Sequence, residues 1–181
     1  MSMDQKRVER KYLPEFVYGG IDGAVTTFAI VAGSIGASFS SAIILVLGFA
    51  NLFADGFSMA VSNYLSTKSQ TELHKNSKSY KSFQNLEKHP IKTGLATFIS
   101  FVLVGFIPLI SFLLALIFPS LYYYELSLSF LFTALALFTV GLVKGEVVKK
   151  HPIKSAIETL LIGGLAALIA FLVGYFLKGL I

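Results

Sequence analysis

Four stretches of this sequence carry no charged residue at all: 23–54, 93–124, 126–143 and 159–177. Nothing else limits the fold so strongly. A bilayer core takes about 20 apolar residues per helix. Lipid offers the backbone no hydrogen-bond partners, so such stretches are confined to helices or closed barrels. Their length favours helices, since a membrane strand needs only about 10 residues. Hydrophobic residues make up 55% of the chain and charged residues 14%, with a mean hydropathy of +0.73. A soluble domain carries about 25% charged residues. The shortfall rules out a disordered chain and argues against a soluble globule.

The first two stretches exceed one span and divide at their punctuation. Gly36 to Ser41 interrupts the first, and Pro119-Ser120 ends a helix within the second. The expected helices are about 17–36, 41–65, 93–117, 123–143 and 155–178. The predicted fold class is therefore all-α, an integral membrane protein with five transmembrane helices. Residues 1–16 form an N-terminal cytoplasmic or interfacial segment, and 17–181 the transmembrane domain. Within that domain, 66–92 is a short cytoplasmic helical loop. The 181 residues allow one domain.

Orientation follows from Lys and Arg. Segments 6–11, 68–92 and 144–154 fall on one side of a five-helix chain and hold 14 of its 15 positive residues. Only Lys178 falls on the other side. The N-terminus is therefore expected in the cytoplasm and the C-terminus across the membrane. This distribution accounts for the net charge of +5 without nucleic acid as a partner. A prokaryotic cell membrane is the expected location, in preference to a vacuolar one.

Segment 3–13 does not resemble a cleaved signal peptide, because a full span follows it. Val8, Tyr12 and Leu13 allow it to lie along the membrane surface. With no Cys, disulfides, thiolate metal sites and cysteine nucleophiles are excluded. One echo is visible. His89-Pro90-Ile91-Lys92-Thr93 and His151-Pro152-Ile153-Lys154-Ser155 each launch a helix. The echo fits a parallel repeat relating the second and third expected helices to the fourth and fifth, but proline before a Ser or Thr is a helix-start signal and is the favoured explanation.

The chemistry lies inside the spans. An ionisable side chain costs about 2.5–3.5 kcal/mol at a helix centre and survives where it faces a bundle interior or polar path. Asp22 lies in the first helix and Asp55 in the second, while Glu125 and Glu158 lie near helix ends. Asp22, Thr26 and Gly33 share one face, and Asn51, Asp55, Met59 (or Ser58) and Ser62 share another. Gly19, Gly20, Gly23 and Gly33 permit close helix approach. At 1.5 Å per residue, Asp22 lies ~8 Å from the cytoplasmic boundary, Met59 ~9 Å and Asp55 ~15 Å. Asp22 and Met59 are thus expected at one level, with Asp55 deeper. A carboxylate with a thioether suits a transition metal of intermediate softness, while Ca²⁺ prefers oxygen and Cu⁺ sulfur.

Gly19-Gly20-Ile21-Asp22-Gly23, the run from Asn51 to Ala60 (Asn-Leu-Phe-Ala-Asp-Gly-Phe-Ser-Met-Ala) and Tyr64-Leu65-Ser66-Thr67-Lys68 resemble the vacuolar iron transporter family. So do Pro90-Ile91-Lys92, Thr97 to Phe101, Gly105-Phe106-Ile107-Pro108 and Glu158 to Gly164. The resemblance covers about 13–178. It implies a five-helix homodimer moving Fe²⁺, and often Mn²⁺, out of the cytosol in exchange for protons. Asp22 and Met59 would bind metal between the protomers, with Asp55 also a candidate ligand. Asp55 and Glu158 are the candidates for proton coupling. The metal is cargo, and no cofactor is expected. Two departures stand out. Many members are acidic where this chain has Asn63, and fuller members carry a Glu-rich metal-binding domain where 66–92 offers only Glu72, His74, Glu87 and His89. Among six Lys, that segment reads as a solvated helical hairpin packed through Leu73, Tyr80, Phe83 and Leu86.

Other functions compete. A channel would use the same residues without coupling. A scaffold or sensor leaves two costly carboxylates unexplained. An intramembrane aspartyl protease needs adjacent carboxylates. The ~7 Å difference in depth and the lack of a Gly-x-Gly-Asp signal argue against it, so no enzyme activity is expected.

Overall fold

The computed structural model describes residues 3–75 and 88–180. They form six α-helices: α1 (Met3–Gly36), α2 (Ser41–Lys75), α3 (Pro90–Gly105), α4 (Ile107–Ile117), α5 (Glu125–Val147) and α6 (Pro152–Leu177). No strand occurs among the described residues. By length and apolarity α1, α2, α5 and α6 can each cross a membrane. The α3–α4 pair, bent by 45°, makes a fifth span if taken as one.

That bend has a local cause. Pro108 has no N–H to give the carbonyl of Val104, and its ring crowds that carbonyl. The helix stops at Gly105, Phe106 caps it, and Leu109 N–H then bonds to Phe106 O at 3.0 Å. The expected single helix 93–117 is thus two segments, and Pro108 is buried at their junction. The first two helices exceed their expected 17–36 and 41–65. α1 passes through Pro14 back to Met3, and α2 continues to Lys75. Polar sequence ends the membrane span but not the hydrogen-bond ladder.

α1 is the central helix, packed on α3 and α6 with further contacts to α2 and α5. Glycines set these approaches. A Cβ on Gly23 would strike the Phe101 carbonyl of α3, and one on Gly36 the Phe171 carbonyl of α6. Gly19 meets Thr97, Gly23 meets Phe101 and Gly33 meets Ala170, so α1, α3 and α6 run in one direction. α2 and α5 run the other way: Gly56 lies on Phe101 and Gly48 on Leu109, while Gly141 lies on Ala156 and Gly145 on Pro152. The three basic segments therefore adjoin one end of the bundle.

The two echoing segments begin their helices alike. His89 and His151 cap α3 and α6 in extended backbone, with Pro at the first helical position. A core of Val31, Ile44, Leu52, Phe101, Leu109 and Phe112 joins α1, α2, α3 and α4. Tyr80, Phe83, Leu86 and Glu87 of the expected hairpin lie outside the described residues.

Candidate functional site

Spacing along α1 builds one wall. Glu15, Tyr18 and Asp22 are offset by three and seven residues, so they share a face. Along α2, Asp55, Met59 and Ser62 do the same, with Asn63 beside them. The helices are antiparallel, so the two stripes run past each other. Asp22 and Asp55 are both half-buried and within electrostatic reach of one another. Met59 is half-buried and packs against the core.

Toward the basic end the stripes part into an open groove of about 540 Å³, lined by Glu15, Tyr18, Ser58, Met59, Ser62 and Asn63, with Pro14 at its edge. Asp22 and Asp55 do not line this groove. The structure thus brings Asp22 to Asp55, and Met59 to the groove. Asn51 is half-buried one turn beyond Asp55, and its Nδ2 has no partner among the described residues.

Neighbouring polar groups are committed elsewhere. Thr26 Oγ1 donates to the Asp22 carbonyl at 2.8 Å, a local back-bond that takes its hydroxyl proton. Asn63 Nδ2 donates to Thr97 Oγ1 at 2.6 Å, and Thr97 Oγ1 donates to the Thr93 carbonyl at 3.0 Å. Thr97 can therefore only accept from Asn63, whose Oδ1 is not used in that bond, and Asn63 itself lines the groove.

Glu158 is exposed on α6 and pairs with Lys144 of α5 at 3.5 Å, outside the groove. At the opposite end of the bundle, Ser41 Oγ donates to Glu125 Oε1 at 2.5 Å, tying the starts of α2 and α5 together. Glu72 and His89 line a second cavity of about 470 Å³ at the basic end, with Tyr64, Lys68 and Lys88.

Two residues at this end escaped the sequence reading, Glu15 on the groove and Lys88 bonded to it. Glu15 was assigned to a segment before the first span, although its seven-residue offset from Asp22 was visible. Lys88 bonds Glu15 Oε1 at 2.5 Å across 73 residues, which no local pattern announces.

Among the described residues, no three His, Cys, Asp or Glu converge within one chain. Asp22 and Asp55 with Met59 offer two carboxylates and one thioether, fewer donors than a divalent ion takes from oxygen ligands. Such a group can bind a cation only with added donors from water, backbone or a second copy.

Comparison with known proteins extends this reading. The VIT family profile matches residues 13–86 and 78–175. A protein named vacuolar iron transporter from Plasmodium berghei is 28% identical, covering 94% of this chain and 84% of its own length. Vacuolar iron transporter 1 of Arabidopsis thaliana is also 28% identical, over 87% of this chain and 82% of its own. Vacuolar iron transporter homolog 4 of the same plant is 30% identical, over 87% and 79%. The Plasmodium alignment spans 229 positions against 181 residues, so at least 48 of its positions have no counterpart here. The homolog 4 alignment spans 162 and needs no such gap. The profile match itself divides at 78–86, inside the short loop. These relatives come from a parasite and a plant, and lend no support to a prokaryotic location.

Proposed function

The chain belongs to the VIT family, and from that premise we propose that it is a membrane transporter of divalent transition metal. It takes Fe²⁺ or Mn²⁺ from the cytosol and moves it across the bilayer in exchange for protons. The basic end of the bundle faces the cytosol, a reading supported by the distribution of Lys and Arg. The observation that carries this reading is the pair of half-buried carboxylates, Asp22 on α1 and Asp55 on α2, on packed antiparallel helices whose adjoining groove holds Met59. Ionised carboxylates in a span are costly, and a divalent ion at Asp22 exchanged against a proton at Asp55 offsets both.

The working unit is a homodimer. The groove between α1 and α2 opens sideways, with Ser58 and Ser62 exposed among Phe57 and Val61 on α2. In a monomer these hydroxyls and the adjoining carboxylates would lie toward lipid tails. A second copy related by a two-fold axis closes the groove and doubles the donors. Asp22 and Met59 hold the metal, and Asp55 accepts a proton as the metal leaves.

Proteoliposomes loaded with a pH reporter test the proposal. Addition of Fe²⁺ or Mn²⁺ should drive metal across the membrane and protons the opposite way. Metal movement without proton movement would make the protein a channel. Movement of neither ion by a folded preparation would overturn the transport reading.

A further inference from the structure

Glu15 stands seven residues before Asp22 on the same face of α1, ~10.5 Å nearer the basic end. It lines the groove that holds Met59. Its side chain is only 12% exposed, and Lys88 Nζ donates to Oε1 at 2.5 Å. Oε2 is buried and has no partner among the described residues. The ammonium therefore satisfies half of a carboxylate at the entrance of a path meant for dications.

Lys88 is placed to leave without disturbing the bundle. It precedes Pro90, where α3 starts, and the neighbouring His89 N–H is anchored to Tyr12 Oη of α1 at 3.0 Å. The backbone is thus pinned while the four-carbon stem remains free to rotate. The Lys88 side chain is 32% exposed and also borders the second cavity, whose wall carries Glu72. An ammonium released from Glu15 has an acidic neighbour there.

We propose that Lys88 is a tethered counter-ion occupying the entrance cation position at Glu15, and that an incoming divalent metal must displace it to load the groove. The inference rests on the transport reading and adds to it a residue that sets the metal concentration needed for entry. A monovalent ammonium satisfies only Oε1. A dication reaching both oxygens, with Asn63 Oδ1 and Met59 nearby, makes the more complete set of contacts. Lys88 raises the threshold for this exchange and keeps Glu15 compensated when metal is scarce.

The test uses the full chain and Mn²⁺ as probe. Lys88→Met should lower the Mn²⁺ dissociation constant, read by the paramagnetic signal of free Mn²⁺, and the transport KM, by roughly two- to fivefold, the scale of one solvent-accessible ion pair. Lys88→Arg should keep wild-type values. In a Glu15→Gln background, Lys88→Met should change neither. An independent readout needs no variant: in the wild-type protein, amine labelling of Lys88, measured by mass spectrometry, should rise as Mn²⁺ binds. If Mn²⁺ binds and is transported while Lys88 labelling stays constant, or if Lys88→Met folds and leaves both constants unchanged, the inference is overturned. If the folded wild-type protein neither binds nor moves Mn²⁺ or Fe²⁺, the transport reading falls, and this inference with it.

Discussion

Asp22 of α1 and Asp55 of α2 both lie half-buried on packed antiparallel helices, within electrostatic reach of one another. Both lie in membrane-spanning segments, so their repulsion meets little of the screening that water provides at a surface. In the proposed transport cycle a cation held at Asp22 would offset that repulsion.

Asp22→Asn should therefore have two opposite effects. Metal uptake into proteoliposomes should fall by about 10–100-fold or more, the range for losing a group that shapes a metal site. Thermal stability in detergent without metal should rise, since a buried repulsion is removed. A variant that transports normally would exclude Asp22 from the path.

Met59 separates sulfur chemistry from packing. Met59→Leu keeps the volume that packs on the core and should cost less than about 1.5 kcal/mol of stability. It should weaken Fe²⁺ binding more than Mn²⁺ binding, because the harder ion depends less on a thioether. Equal weakening of both metals, measured by competition in vesicles, would make Met59 a packing residue.

Asp55→Asn should alter the coupling between fluxes. The proton counterflow per metal ion, read from paired pH and metal signals, should drop while equilibrium metal binding changes less than in Asp22→Asn. Loss of metal binding with an unchanged pH profile of residual flux would make Asp55 a ligand and remove its proton role.

The glycine contacts give a stability test away from the carboxylates. Gly23→Ala places a methyl group against the Phe101 carbonyl, wedging α1 from α3. It should cost about 1–3 kcal/mol, the usual range for overpacking. Gly164→Ala on α6 meets nothing within 4 Å. It should be neutral or stabilise by up to ~1 kcal/mol through helix propensity. Thermal unfolding of the two variants in one detergent would decide, and equal effects would contradict the α1–α3 packing.

Much of the fold was legible in the chain. The charge-free stretches marked the spans, and the Lys and Arg clusters marked the segments that share one end. Hydropathy and charge are local properties, so each segment carries its own record of them. The helix starts at Pro90 and Pro152 were readable for the same reason. Asp22, Asp55 and Met59 stood out because their chemistry is conspicuous against an apolar background.

Tertiary structure alone decided which faces meet. It made α1 the central helix and brought Asp22 within electrostatic reach of Asp55. It put Met59 on a groove with Glu15 and turned Glu158 outward to Lys144. It also brought Lys88 to a carboxylate 73 residues away. In lipid, a helix gains nothing by turning one apolar face inward rather than another. Rotation and register are therefore set by small residues, close backbone approach and buried hydrogen bonds between distant segments. A linear pattern of hydropathy carries no record of that pairing, so the sequence by itself determined the spans, and packing determined which of their faces meet.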